Sequence, residues 1–156
     1  GADIQSALTA GLLHDSGKYC SPKEQLRFCE NHQIPLTGSE REMPALIHAK
    51  LGAYLAEHEY GIKDPEILGA ILYHTTGRPE MSLLEKIIYI ADYIEPNRDF
   101  EGVEELRRLA YEDLDRALLL GVETTIQEMR DRRLPIHTNT LRARDWLREH
   151  GTKTEE

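Results

Sequence analysis

Cysteine is scarce in this chain, with Cys20 and Cys29 the whole complement. Their spacing, with no second pair to match it, fits neither a disulfide framework nor a zinc ribbon, so two free thiols in a reducing compartment are expected. Long apolar runs are missing, and no signal peptide opens the chain; the reading excludes a membrane span and takes the cytoplasm as the compartment. Positive charge is in deficit. The 19 Lys and Arg stand against 28 Asp and Glu, a net charge of −9 that argues against a general nucleic-acid binder. Small anionic ligands remain open, because a metal or a local basic cluster reverses the field within one cleft. No stretch alternates apolar and polar residues with the period of a strand, and there is no repeat or low-complexity segment.

What is present is helical. With 40% apolar and 30% charged residues over 156 positions, the composition suits one soluble domain with a sizeable core, expected over residues 1–150, with a disordered tail over 151–156. The most regular stretch is Ser82 to Glu95, where Leu83, Leu84, Ile87, Ile88, Ile90, Ala91 and Ile94 recur at three- and four-residue intervals. Ser82 and Glu85 form a capping box at its start. Other helices are expected over residues 3–14, from Pro22 to His32 behind Ser21, from Pro44 to about Tyr60, and from Asp64 to His74. Residues 103 to about 132 read as two helices bent near Tyr111–Asp113, and Thr140 as the start of a short last helix. Gln33–Met43 and Leu134–Thr140 read as loops, the first because it holds Pro35 and Gly38. The fold class is therefore all-α, a helical bundle.

Four of these segments bring a metal-competent group to an apolar helical face: His14 with Asp15, then His48, His74 and Asp92. Each histidine alone has an ordinary explanation as a core imidazole bonded to a carbonyl. Five groups on four helices are harder to explain that way. Asp92 lies on or beside a face that should be buried, and a desolvated carboxylate needs a cation, a metal or dense hydrogen bonding. Mixed imidazole and carboxylate donors without cysteine suit iron, manganese, zinc or nickel and disfavour a purely structural zinc site. Lys18, Arg78 and Arg98 sit at the loop ends of the ligand-bearing helices, where they can hold phosphate oxygens. For Arg78 and Lys86 an ion pair or surface charge is the favoured reading. His32, His58 and His150 lie in polar surroundings and read as solvated; His137, in its loop, is equally suited to a ligand contact and to none.

The sequence His14-Asp15-x-x-Lys18, followed by His48, His74 and Asp92 on separate helices, resembles the HD-domain metal-dependent phosphohydrolases. The closer resemblance is to their YqeK-type branch, the symmetrical bis(5′-nucleosyl)-tetraphosphatases. It is carried by Leu12-Leu13-His14-Asp15, by His48 with Gly52-Ala53-Tyr54-Leu55-Ala56, by the block Tyr73–Arg98 and by Ala110–Asp115, and spans nearly all of residues 6–147. The resemblance implies an HD-type helical bundle around a metal site, hydrolysing diadenosine tetraphosphate to two ADP at a di-iron centre, with Mn, Co, Ni, Mg or Zn as other metals in view. It implies His14, Asp15, His48, His74 and Asp92 as ligands, with Asp15 bridging. Ser16, Gly17, Lys18, Thr75 and Arg98 would contact phosphates, and Pro135, Ile136, His137, Thr138, Asn139 and Thr140 the nucleoside end. Asp15, Lys18 and Arg98 are the expected catalytic residues, the two cations stabilising the anionic transition state.

The family also carries a metal-binding His on a helix about one helical hairpin before the HD pair, and residues 1–13 hold none. The expectation is that this first His-bearing helix is lacking; the alternative is a five-ligand, mononuclear site. The expected partner is a nucleotide, with no nucleic acid or membrane, and a homodimer is suggested by the family alone. Two other readings stay open: an HD phosphohydrolase of a mononucleotide or a guanosine tetraphosphate alarmone, and a catalytically silent helical module that binds nucleotide.

Overall fold

The computed structural model describes residues 1–151; the tail expected to be disordered falls outside the described residues apart from Gly151. Among the described residues the secondary structure is entirely helical, in agreement with the all-α reading. The helices are α1 (Ile4–Leu13), α2 (Pro22–Asn31), α3 (Gly38–Glu42), α4 (Ile47–His58), α5 (Pro65–Leu72), α6 (Leu83–Tyr93), α7 (Val103–Glu112), α8 (Leu114–Asp131) and α9 (Thr138–His150). A 3-10 turn over Ser16–Tyr19 follows α1, and another over Pro44–Leu46 leads into α4. No helix in this set is long and apolar enough to cross a membrane.

Most helix starts follow from capping chemistry. Asp3, Ser21, Asp64 and Ser82 each accept a bond from a first-turn N–H, and Ser21 with Glu24 and Ser82 with Glu85 close full capping boxes. Two expectations need correction. The 33–43 loop contains α3, because Thr37 and Glu40 form a third capping box despite the neighbouring Pro35 and Gly38. The last helix begins at Thr138 rather than Thr140, because the His137 ring accepts the Asn139 N–H at 3.1 Å and acts as the N-cap.

Three apolar clusters hold these elements. One joins α6 to α7, α8 and α9 through Tyr89, Ile90, Leu106, Leu118, Val122 and Leu147. A second joins α1, α4, α5 and α6 through Ala10, Ala56, Ala70, Ile71, Leu84 and Ile88. The third is small and pins α2 to α4 through Cys29, Ile47 and Leu51. Since α6 contributes opposite faces to the first two, it is the spine of the fold. Along α1, Ile4, Leu8 and Leu12 form an outward apolar stripe open to solvent.

One polar contact fixes the turn between α5 and α6. Glu85 is 3% exposed and receives a two-pronged bond from Arg78, at 3.0 and 2.8 Å, while also capping the Ser82 N–H. The ion-pair reading of Arg78 thus agrees with its surroundings, as does that of Lys86, which pairs with Asp115. Truncating Arg78 leaves a buried carboxylate without its cation. Arg78→Ala should therefore lower stability by about 3 kcal/mol, whereas Arg108→Ala, on the exposed face of α7, should leave the unfolding midpoint nearly unchanged. Parallel denaturant titrations of the two variants check the contrast.

Candidate metal centre

Each candidate ligand lies at or near a helix terminus. His14 is the C-cap of α1 and Asp15 follows it into the 3-10 turn. His48 is the second residue of α4, His74 lies in the turn just past α5, and Asp92 is in the last turn of α6. The three histidines share one local device. In each, Nδ1 lies against the carbonyl three residues earlier: His14 to Gly11 at 2.6 Å, His48 to Ala45 at 2.7 Å, His74 to Ile71 at 2.7 Å. A carbonyl only accepts, so Nδ1 must donate, and in the neutral ring Nε2 is left as a bare lone pair aimed inward.

Those lone pairs converge. The Nε2 atoms of His48 and His74 are 3.1 Å apart, and Asp15 Oδ1 is 3.3 Å from each. On the other side, His14 Nε2 is 3.5 Å from both Asp15 Oδ2 and Asp92 Oδ1. Two triads result, Asp15–His48–His74 and His14–His74–Asp92, each with its ligand atoms within 4.8 Å of one another and sharing His74. His48 and His74 are buried, and Asp15 Oδ1 is a buried oxygen with no hydrogen-bond donor. Acceptors packed this closely without a proton between them repel, and a divalent cation is what removes the repulsion. The residues therefore fit a metal with nitrogen and oxygen donors.

Protons on Nε2 would play the same part as a cation: with His48 and His74 donating to it, and Lys18 adding to them, the Asp15 carboxyl is held far below the usual carboxylate range. The His14 ring beside Asp92 lowers that carboxyl too, and the same contact raises the His14 pKa against the opposing effect of burial.

Two cations flank the cluster. Lys18 Nζ lies 3.0 Å from Asp15 Oδ2, and Arg98 donates to the Asp92 carbonyl at 3.2 Å with its guanidinium 3.5 Å from Asp92 Oδ1. Both are about half exposed, so their remaining donors are free to take up an anion. The Ser16 and Thr75 hydroxyls are buried near the cluster without partners. Gly17, expected among the phosphate contacts, is buried against α4, where a Cβ would stand 2.1 Å from the His48 carbonyl oxygen, so its lack of a side chain also allows the close packing that seats the His48 backbone.

Cavities open around the centre. One of about 670 Å³ lies between α6 and α8 and is lined by His74, Thr75, Asp92 and Arg98 at the metal end. Another, of about 510 Å³, lies between α1 and α6 and shares Asp92 and Arg98. A third, of about 190 Å³, lies on the far side of Thr75 and is bordered by His137 and Asn139. The 135–140 segment is anchored beside it: Thr140 donates to the Thr76 carbonyl at 2.9 Å, while Pro135 and Ile136 are half-buried and Thr138 is exposed. His137 is 8% exposed, and burial pushes its pKa down, so the ring stays neutral with Nε2 toward Thr37 and Glu40. Sequence reasoning did not single out the α6–α8 cavity wall, including Tyr89, Tyr93, Phe100 and Met129. The spacing of Tyr89, Asp92 and Tyr93 on one helix is the available signal, and the apolar pattern of that helix leaves both tyrosines out.

A helical protein that gathers a His-Asp pair and further histidine and aspartate groups from separate helix ends around a cation-seeking centre belongs to a metal-dependent class. Residues 1–97 match the HD domain, and the chain is a member of the HD-domain family. It is 42% identical over 147 residues to the symmetrical bis(5′-nucleosyl)-tetraphosphatase of Bacillus subtilis, covering 94% of this chain and 78% of that protein. The enzyme of the same name from Staphylococcus aureus is 35% identical, with coverage of 89% and 72%. A crystal structure of an HD superfamily hydrolase from Clostridium acetobutylicum, described as involved in NAD metabolism, superposes with a TM-score of 0.89 at 46% identity, over 94% of this chain and 78% of that one.

Proposed function

We propose that this protein is a metal-dependent phosphoanhydride hydrolase that cleaves diadenosine tetraphosphate into two ADP. The observation that carries the reading is the convergence of Nδ1-tethered histidines on the buried, donorless Asp15 Oδ1, beside two half-exposed cations. The substrate follows from the relatives, whose names specify symmetrical cleavage of a bis-nucleosyl tetraphosphate.

His14, Asp15, His48, His74 and Asp92 would hold the metal, which family resemblance gives as iron, and the two oxygens of Asp15, facing His48 and His74 on one side and His14 on the other, support two adjacent positions. A divalent centre of this kind acidifies a water and neutralises phosphate oxygens. The protein's own groups supply the remainder. Asp15 presents Oδ1 to His48 and His74 and Oδ2 to His14 and Lys18, the divided geometry a bridging carboxylate requires. Lys18 and Arg98 sit at the rim, where they bind phosphate oxygens and offset charge that grows as the bridge breaks. Water adds its oxygen to one inner phosphorus, and the central P–O–P bridge breaks with its oxygen leaving on the second ADP. Thr75 and Ser16 offer unpaired hydroxyls beside that path, and the 135–140 segment offers its exposed edge to a nucleoside.

Arg98 is the simplest test of the phosphate contact. Its loop position leaves it solvated whether or not ligand is present, so Arg98→Ala should keep the unfolding midpoint and weaken ADP binding by about 1.5 to 3 kcal/mol. Unchanged ADP affinity with a large loss of stability would make it structural. A turnover panel tests the substrate. Diadenosine tetraphosphate should exceed diadenosine triphosphate, a mononucleotide and guanosine tetraphosphate in kcat/KM, and a faster reaction with any of these would overturn the assignment.

A further inference from the structure

The turn that carries Arg98 is gripped by a side chain from another helix. Arg107, half-buried on α7, donates through Nε to the Ile94 carbonyl at 3.2 Å and through Nη2 to the Glu95 carbonyl at 3.1 Å and the Arg98 carbonyl at 2.9 Å. Its Nη1 pairs with Glu104, one turn back on the same helix. Ile94 is the C-cap of α6 and Glu95 follows it, so two of the three carbonyls lie where that helix runs out of donors of its own. A cation there also meets the negative end of the helix dipole.

The third carbonyl concerns the site. Arg98 folds back on α6, its N–H bonded to the Glu95 carbonyl at 2.9 Å and its Nε to the Asp92 carbonyl at 3.2 Å, and this aims its terminal nitrogens at the candidate metal centre. The rest of the turn gives little support. Pro96, Asn97 and Asp99 are exposed, and the backbone and side-chain N–H groups of Asn97 bond only to the Glu95 carboxylate, which joins two turn residues to each other. The Arg107 fork ties both ends of the turn, the exit from α6 and the Arg98 backbone, to the body of the protein. Its base is firm, because Leu106 and Leu109 on either side of it are buried in the cluster that joins α6 to α9. A long side chain on an untethered turn supplies charge without direction; fixing its backbone lowers the ordering cost of each contact it makes.

We propose that Arg107 is a positioning residue for substrate phosphate, acting through Arg98: its guanidinium clamps the 94–98 turn so that the Arg98 side chain stands ready at the rim of the centre. This rests on the phosphate contact given to Arg98 above and deepens it, since it assigns the orientation of that contact to a helix that does not itself border the metal ligands.

ADP titrations of the manganese-loaded wild type, Arg107→Ala, Arg98→Ala and the double variant test this, with unfolding midpoint and metal content measured alongside. Arg107→Ala should weaken ADP binding about fivefold or more and leave metal content at the wild-type level, because Asp92 is held within α6 itself. In the Arg98→Ala background the same change should cost no further ADP affinity, since the side chain it positions is gone. The midpoint should fall by a similar amount in both backgrounds, because the carbonyls lose their donor either way. A residue that is merely structural would lower the midpoint without any dependence of ADP affinity on Arg98. Arg107→Lys keeps the charge but not the planar fork, and serves if the alanine variant is too unstable to titrate; it too should weaken ADP binding only where Arg98 is present. Equal ADP losses with and without Arg98, unchanged ADP affinity in a folded Arg107 variant, or loss of metal along with ADP would overturn the proposal and leave the hydrolase reading standing. If Arg98→Ala binds ADP as tightly as wild type, the phosphate contact itself falls and this inference with it; turnover of diadenosine tetraphosphate, measured on the wild type, tests the function separately.

Discussion

Asp15→Ala should remove metal and turnover together. Its two oxygens face different partners, Oδ1 toward His48 and His74 and Oδ2 toward His14 and Lys18, so its loss affects both triad positions at once. Activity should fall by about a thousandfold or more, with metal content reduced to a small fraction of wild type. His48 belongs to one triad only, so His48→Ala should keep more metal than Asp15→Ala. His74 has one free nitrogen, Nε2, which can serve a single ion, so His74→Ala should also keep more metal than Asp15→Ala. Elemental analysis of the three variants, with helicity checked by circular dichroism, reads the ranking. Equal metal retention in Asp15→Ala and His48→Ala would remove the bridging role from Asp15.

Gly17→Ala should be severe for a different reason. The added carbon would meet the His48 carbonyl oxygen at 2.1 Å and the Gly52 nitrogen at 2.9 Å, and both are backbone atoms that no rotamer change can move. Relief requires α4 to slide away from the 3-10 turn, and His48 moves with it. A loss of about 3 kcal/mol is expected, together with weaker metal binding. Gly38→Ala is the control, because nothing lies within 4 Å of its Cβ position, and it should be nearly neutral. Thermal midpoints and metal titrations on both variants would show it; a Gly17→Ala protein that matches wild type in each would rule out the close packing.

The legible part of the fold was the part written in local chemistry. Ser21 with Glu24 and Ser82 with Glu85 announce their helices, and the three- and four-residue apolar rhythm of α6 identifies the spine. The same signal at Thr37 and Glu40 was outweighed by Pro35 and Gly38, yet Pro35 precedes the cap and Gly38 occupies the first helical position, where neither breaks a hydrogen bond. His137 was opaque because a ring nitrogen is an uncommon cap. The candidate ligand residues could be picked out by type, as histidines and aspartates on apolar faces, but the device that aims the histidines, Nδ1 tied to the carbonyl three residues back, appears only once the chain is folded. Gly17 shows the limit from the other side. Its place beside the HD pair suggested a phosphate contact, and only the approach of α4, from thirty residues further along, reveals its packing role. The cavity between α6 and α8 is a tertiary property of the same kind, since nothing in the sequence sets Tyr89 and Tyr93 apart until the opposing helix is placed.

Product identity is the most direct test of the central claim. The metal-loaded protein should be incubated with diadenosine tetraphosphate and the nucleotides separated, with and without a chelator. ADP should be the sole product, two per substrate consumed, with turnover lost on chelation. ATP with AMP, or turnover indifferent to the chelator, would contradict it.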